Sequence, residues 1–170
     1  IERDGIEDCY DISIEEPHLY YDANDILHHN TIITGALCKL VEDHGRTITI
    51  VPSKSLVVQT EVDYRNIGLD TGVFYGEKKE ENKHHTIMTW QSLSSAWKNR
   101  HDDDGELFLS LIDGVVAVIV DESHTGKGNN LSELLSNQLS HIPLRWGLTG
   151  TIPKDAVDRF YAASFERIDW

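Results

Sequence analysis

The spacing of apolar positions changes several times along the 170-residue chain, and each change marks an expected element. Tyr10, Ile12 and Ile14 alternate with Asp11 and Ser13 at the period of a strand, and Pro17 and the aromatic pair Tyr20-Tyr21 follow. From Thr31 the period becomes helical. Ile32, Ile33, Ala36, Leu37, Leu40 and Val41 recur on one face, and His44-Gly45 supplies a stop. Thr47–Val51 is a compact β-branched run closed by Pro52, and an amphipathic stretch covers Ser55 to Tyr64. Further strands are expected at Val73–Tyr75, Thr86–Thr89, Val115–Val120 and Arg145–Thr149, with helical patterns at Leu107–Leu111 and Leu131–Leu139. Glu77–Lys83, rich in lysine and glutamate, reads as a solvated loop.

Strands alternating with helices predict an α/β fold with a parallel sheet and crossover helices. The strands are nearly continuous in Val and Ile, as strands covered on both faces require. No apolar run approaches the roughly 20 residues that span a bilayer. No membrane association is therefore expected. Two cysteines, Cys9 and Cys38, are too few for a disulfide framework or a zinc site, which points to a reducing, cytoplasmic setting. Ile1 carries no initiator methionine or leader pattern, so the chain is expected to begin mid-protein or to have been cut.

Charge divides the chain. The net charge is −14, yet residues 1–30 hold nine acidic side chains against the single base Arg3. The composition breaks near residue 30, which suggests one unit over 1–30 and another over 31–170.

Val120-Asp121-Glu122-Ser123-His124 ends the most apolar strand, where open parallel sheets bind ligands. Asp121 could hold Mg²⁺ and Glu122 could orient or deprotonate a water, as nucleoside-triphosphate hydrolysis requires. Alone, such a pair is more often just a strand running into a polar loop. Three other strand ends carry polar strings: Pro52-Ser53-Lys54 with Gln59 beyond it, Thr89-Trp90-Gln91, and Thr149-Gly150-Thr151. Gly126-Lys127-Gly128 lacks the upstream glycine of a phosphate loop and reads as a basic turn.

In order and spacing these strings resemble motifs Ia, Ib/Ic, II and III in the first RecA-like domain of superfamily 2 helicases. The likeness is strongest to the phage UvsW-type branched-DNA helicases, and it covers about Thr31 to Phe165. The resemblance implies an ATP- and Mg²⁺-dependent motor acting on branched or single-stranded DNA in a bacterial or phage-infected cell. Asp121 would bind Mg²⁺, Glu122 would position the attacking water, and His124 would couple the nucleotide to Thr149 and Thr151. Ser53, Lys54, Gln59, Thr89 and Gln91 would lie along the DNA backbone. Such tracking by hydroxyls, amides and helix N-termini needs little net positive charge. The second motor domain expected of such enzymes would follow Trp170.

The phosphate loop of such a motor belongs just before the first helix, yet Ile26-Leu27-His28-His29-Asn30 contains neither glycine nor lysine. Cys9-Tyr10-Asp11-Ile12-Ser13-Ile14-Glu15-Glu16-Pro17-His18 and Asp25-Ile26-Leu27-His28-His29-Asn30 before Thr31 resemble instead the two final splicing blocks of an intein. Leu19 and Asp25 depart from the usual Asn and Gly of those blocks. The required chemistry is present in order: the Asn30 amide can cyclise onto its own carbonyl, and His29 can polarise that carbonyl or protonate the leaving amine. His18 and Asp11 can assist the earlier steps, and Thr31 is the acceptor hydroxyl. An intein interrupting the loop between its Lys and Thr would make Thr31 the loop's Mg²⁺ ligand after splicing. The implied partners are an N-terminal intein fragment and the upstream helicase segment. A degenerate, non-catalytic nucleic-acid-binding RecA-like domain, or another small α/β nucleotide hydrolase, are the competing expectations.

Overall fold

In Thr47-Ile48-Thr49-Ile50 successive side chains face opposite sides of one strand, and the whole architecture is built around that strand. The computed structural model describes residues 20–21, 27–28, 31–80, 83–101, 105–122 and 129–148. Helix α1 (Thr31–Val41) leads into β3 (Arg46–Val51), α2 (Lys54–Asn66), β4 (Thr71–Tyr75), β5 (Lys78–Lys79) and β6 (His85–Thr89). Then come α3 (Trp90–Lys98), α4 (Glu106–Ile112), β7 (Val115–Val120), α5 (Asn129–Glu133) with a π-helical turn at Leu134–Gln138, and β8 (Leu144–Gly147). Ahead of them β1 (Tyr20–Tyr21) and β2 (Leu27–His28) pair antiparallel as a separate two-stranded sheet.

The main sheet has the order β5-β4-β6-β3-β7-β8. Every pairing in it is parallel except that of β5, which folds back antiparallel on β4. Ile48, Ile50, Met88, Val118 and Val120 pack on one side against Leu93, Phe108, Leu111, Leu131 and Leu135 of the helices α3 to α5 and the π turn. Ile87, Ile119 and Val73 pack on the other against Cys38, Val57 and Tyr64 of α1 and α2. These three layers are a RecA-like α/β arrangement. Thr47 and Thr49 share the second face, where their hydroxyls meet the Cys38 thiol, and the Thr49 hydroxyl lies 3.0 Å from the Tyr64 hydroxyl. Buried hydroxyls on that face are thus satisfied in pairs.

Helix α1 lies close against α2 because Gly35 has no side chain. A Cβ there would stand 2.5 Å from Ile67 Cδ1 and 3.4 Å from the Tyr64 ring. At the amino end of the sheet His85 is buried, with its Nδ1 2.9 Å from the Thr47 hydroxyl and its Nε2 3.7 Å from the Glu42 carboxylate.

Candidate nucleotide and nucleic-acid site

Parallel strands deliver their carboxyl ends to one edge of the sheet, and Ser53-Lys54 after β3, Thr89 at the end of β6 and Asp121-Glu122 after β7 cluster there. Asp121 follows β7, flanked by β3 and β8. Its backbone N–H donates to the Ile50 carbonyl at 2.9 Å, and one carboxylate oxygen accepts from the Glu122 N–H at 2.9 Å. The side chain is buried. Burial pushes its pKa up to about 6, and the Glu122 charge adds to the rise while the Glu122 N–H opposes it. Glu122 has φ 49°. It is the one residue besides glycine in the left-handed region among the described residues, a conformation that costs an ordinary side chain about 1–2 kcal/mol. The backbone thus turns at Glu122, right after the buried carboxylate.

Thr31 lies at the same edge. α1 runs antiparallel to β3, so its first residue stands at the carboxyl ends of the strands and its last near Arg46. Thr31 is buried, and its carbonyl accepts from the Thr34 hydroxyl at 2.8 Å. A desolvated carboxylate gains from a divalent cation, so oxygen donors from Asp121 and Thr31 suit Mg²⁺. Among the described residues no group of three or more His, Cys, Asp or Glu could enclose a metal. Phosphate oxygens would have to complete the shell.

Ser53 and Thr89 occupy equivalent places after β3 and β6. Each caps the next helix: Ser53 Oγ accepts from the Leu56 N–H and Thr89 Oγ1 from the Ser92 N–H, both at 3.3 Å. Two helix N-termini therefore open side by side onto a groove of about 450 Å³, lined by Ser53, Lys54, Thr89 and Gln91 together with Lys79, Ser95 and Asn99. The Lys54 ammonium crosses toward the β4–β5 turn, 3.5 Å from where a Cβ on Gly76 would lie. Gln59 is exposed further along α2 and does not line the groove.

Lys79, Ser95 and Asn99 escaped the sequence reading. The lysine and glutamate content of Glu77–Lys83 predicts a solvated loop there, and Lys79 instead forms part of the short β5. Ser95 and Asn99 belong to α3 and its cap, a helix absent from the expected elements. Its signal was Trp90, Leu93 and Trp97 at helical spacing, masked by the strand that precedes them. His124, Thr149, Thr151, Asp11, His18, His29 and Asn30 lie outside the described residues.

The family model described as "Type III restriction enzyme, res subunit" matches residues 30–154. The chain belongs to that family. Its domain is thus a RecA-like domain of superfamily 2 helicases, a family of ATP-dependent enzymes. Among solved structures, the Pyrococcus furiosus Hef helicase domain superposes with TM-score 0.61 at 18% identity, over 78% of this chain and 30% of that one. T4 UvsW gives 0.59 at 19% identity, over 80% and 28%. The DUF1998 helicase MrfA, bound to DNA and AMPPNP, gives 0.55 at 17%, over 82% and 22%. The present chain therefore spans less than a third of each of these proteins. No curated protein sequence matches it. Among the described residues no helix is long and apolar enough to cross a membrane.

Proposed function

We propose that residues 31–170 are the first motor domain of an ATP-dependent DNA helicase, and that residues 1–30 are the C-terminal segment of an intein that interrupts its phosphate loop. The observation that carries the motor assignment is the buried Asp121 carboxylate beside the left-handed Glu122 at the carboxyl end of β7. Asp121 and Thr31 would hold Mg²⁺, which supplies charge neutralisation for the phosphates of ATP. The Glu122 N–H fixes the Asp121 carboxylate, and the Glu122 carboxylate would orient a water. His124, Thr149 and Thr151 would pass the state of that site to the DNA groove. There Ser53, Thr89 and two helix N-termini would bind phosphates, with Lys54, Lys79, Gln91 and, further along α2, Gln59 beside them. The DNA in the MrfA structure supports that substrate class.

The splicing assignment rests on the residue order Asp11, His18, His29, Asn30, Thr31 and on the want of glycine or lysine in Ile26–Asn30, directly before α1. Asn30 would cyclise, His29 would polarise its carbonyl, and Thr31 would accept the upstream segment and become the last residue of the restored loop. Co-production of the chain with an N-terminal intein fragment tests this by intact mass. A released piece ending at Asn30 and a product joined through Thr31, with Mg²⁺-dependent ATP turnover stimulated by DNA, is the expected result. Turnover by the unjoined chain would sink the interrupted-loop assignment.

A further inference from the structure

The two edges of the main sheet differ in kind. β5 closes one edge with two exposed lysines, Lys78 and Lys79, a common guard against further pairing. β8 forms the other edge with Leu144-Arg145-Trp146-Gly147 and no lysine. The Leu148 N–H donates to the Val120 carbonyl at 2.8 Å, so Leu144, Trp146 and Leu148 turn their backbone groups toward β7. By the alternation of a parallel pair, Arg145 and Gly147 turn theirs outward. Among the described residues no strand lies on that side.

Topology says what belongs there. α1 and α2 share one face of the sheet, and the crossover β3-α2-β4 moves from β3 away from β7. A crossover through α1 into β3 has the same right-handed sense only if its starting strand lies on the β7 side of β3. β7 is paired on both sides by β3 and β8, which leaves the outer edge of β8. The nearest described residues before α1, Leu27–His28, are instead paired with Tyr20–Tyr21. Ile33 and Leu40 on α1 are 49% and 71% exposed, and with Leu37 they form a stripe at steps of four and three. That stripe lies away from the Gly35 face that meets α2, and Leu37 packs in one cluster with Trp146 of β8.

We propose that the outer edge of β8, flanked by the Ile33–Leu37–Leu40 stripe, is a docking surface for a parallel β-strand: the upstream segment that becomes joined to Thr31. The identity of the occupant rests on the splicing reading above; the acceptor edge does not. Docking by strand addition brings the end of the incoming strand to the carboxyl edge, next to Thr31, before any covalent bond joins them.

Amide exchange of the full chain, followed by NMR, tests this with a synthetic peptide of about five Val and Ile residues followed by a glycine-rich loop ending in lysine. The peptide should slow exchange at Arg145 and Gly147 at least tenfold, and the same peptide with a central proline should not. Gly147→Pro removes one outward N–H and should abolish the slowing. Leu40→Glu, at an exposed position that spares the fold, should weaken it at least fivefold. No slowing at saturating peptide, slowing at Lys78–Lys79 instead, or slowing that grows with chain concentration in the absence of peptide would each overturn the proposal, the last by naming a second copy as the occupant. Release after Asn30 is scored separately, by mass, in the chain co-produced with the N-terminal intein fragment. Slowing without release would retire the splicing reading and keep the edge; release that Gly147→Pro and Leu40→Glu leave unchanged would do the reverse.

Discussion

The carboxylate of Asp121 accepts a hydrogen bond from the backbone N–H of Glu122, the residue that directly follows it, at 2.9 Å. That bond is compatible with the left-handed backbone of Glu122, so the turn and the carboxylate orientation are one feature. Stability and chemistry then make opposite demands on position 122. Glu122→Gly should relieve the backbone and raise unfolding stability by about 1 kcal/mol in urea melts. In the restored helicase the same change, like Glu122→Gln, should lower ATP turnover by roughly 10²-fold or more while sparing nucleotide binding. Loss of stability in Glu122→Gly would show that the side chain outweighs the strain.

Acid stability should be set by two buried groups that oppose each other. Burial, and next the neighbouring His84, hold the His85 pKa down to about 4 against an ordinary 6.5. The unfolded chain thus takes up a proton below 6.5 that the folded chain refuses, so this contribution is complete above 6.5 and is lost as pH falls toward 4. Asp121, raised to about 6 from 3.8, behaves in the opposite sense: its contribution is complete below 3.8 and is lost as pH rises through 6. Metal-free wild-type chain should change little between pH 7 and 4.5. Asp121→Asn should lose on the order of 2 kcal/mol over that interval by urea denaturation. Glu42 and Asp70, held below the ordinary carboxylate range chiefly by Lys39 and Lys83, add a loss only at the acid end.

Ser53→Ala and Thr89→Ala should each cost about 1 kcal/mol, because each removes a helix cap. Fluorescence anisotropy with single-stranded DNA should show weaker binding in both, and the salt dependence should stay unchanged because no cation is lost. Lys54→Ala should instead leave stability nearly untouched and flatten the salt dependence by about one unit of slope. If Lys54→Ala changes neither affinity nor slope, the groove is not the DNA path.

Asn30→Ala should stop release by removing the attacking amide, and Thr31→Ala should stop joining while allowing release. His29→Ala should slow cleavage by roughly 10²-fold. Intact mass over time distinguishes the three. Cleavage at another bond, or persisting in Asn30→Ala, would refute the assignment.

The sheet was legible in the sequence because its strands are written in β-branched residues at buried positions, Thr47–Val51 and Val115–Val120 above all. Periodicity also found α1 and α2. It missed α3, whose Trp90 begins one residue after β6 ends, so two periods run together with no intervening turn. The expected helix at Leu131–Leu139 is α-helical only to Glu133 and continues as a π turn, a distinction that side-chain spacing does not encode. At the site, Ser53 and Thr89 were legible as hydroxyls at strand ends. Lys79 was not, because its place in the groove depends on a hairpin two residues deep.

Gly35 carries a consequence for how such a protein could be made in pieces. The contact that seats α1 runs from Gly35 to Tyr64 and Ile67, wholly within the sequence that follows residue 30. Thr31 stands one helical turn before it, so its place in space follows from the seat of α1 on α2. A ligation at that residue would change connectivity and leave architecture alone: the acceptor is held on a prebuilt jig, and a methyl group at position 35 would loosen the jig before it touched the chemistry.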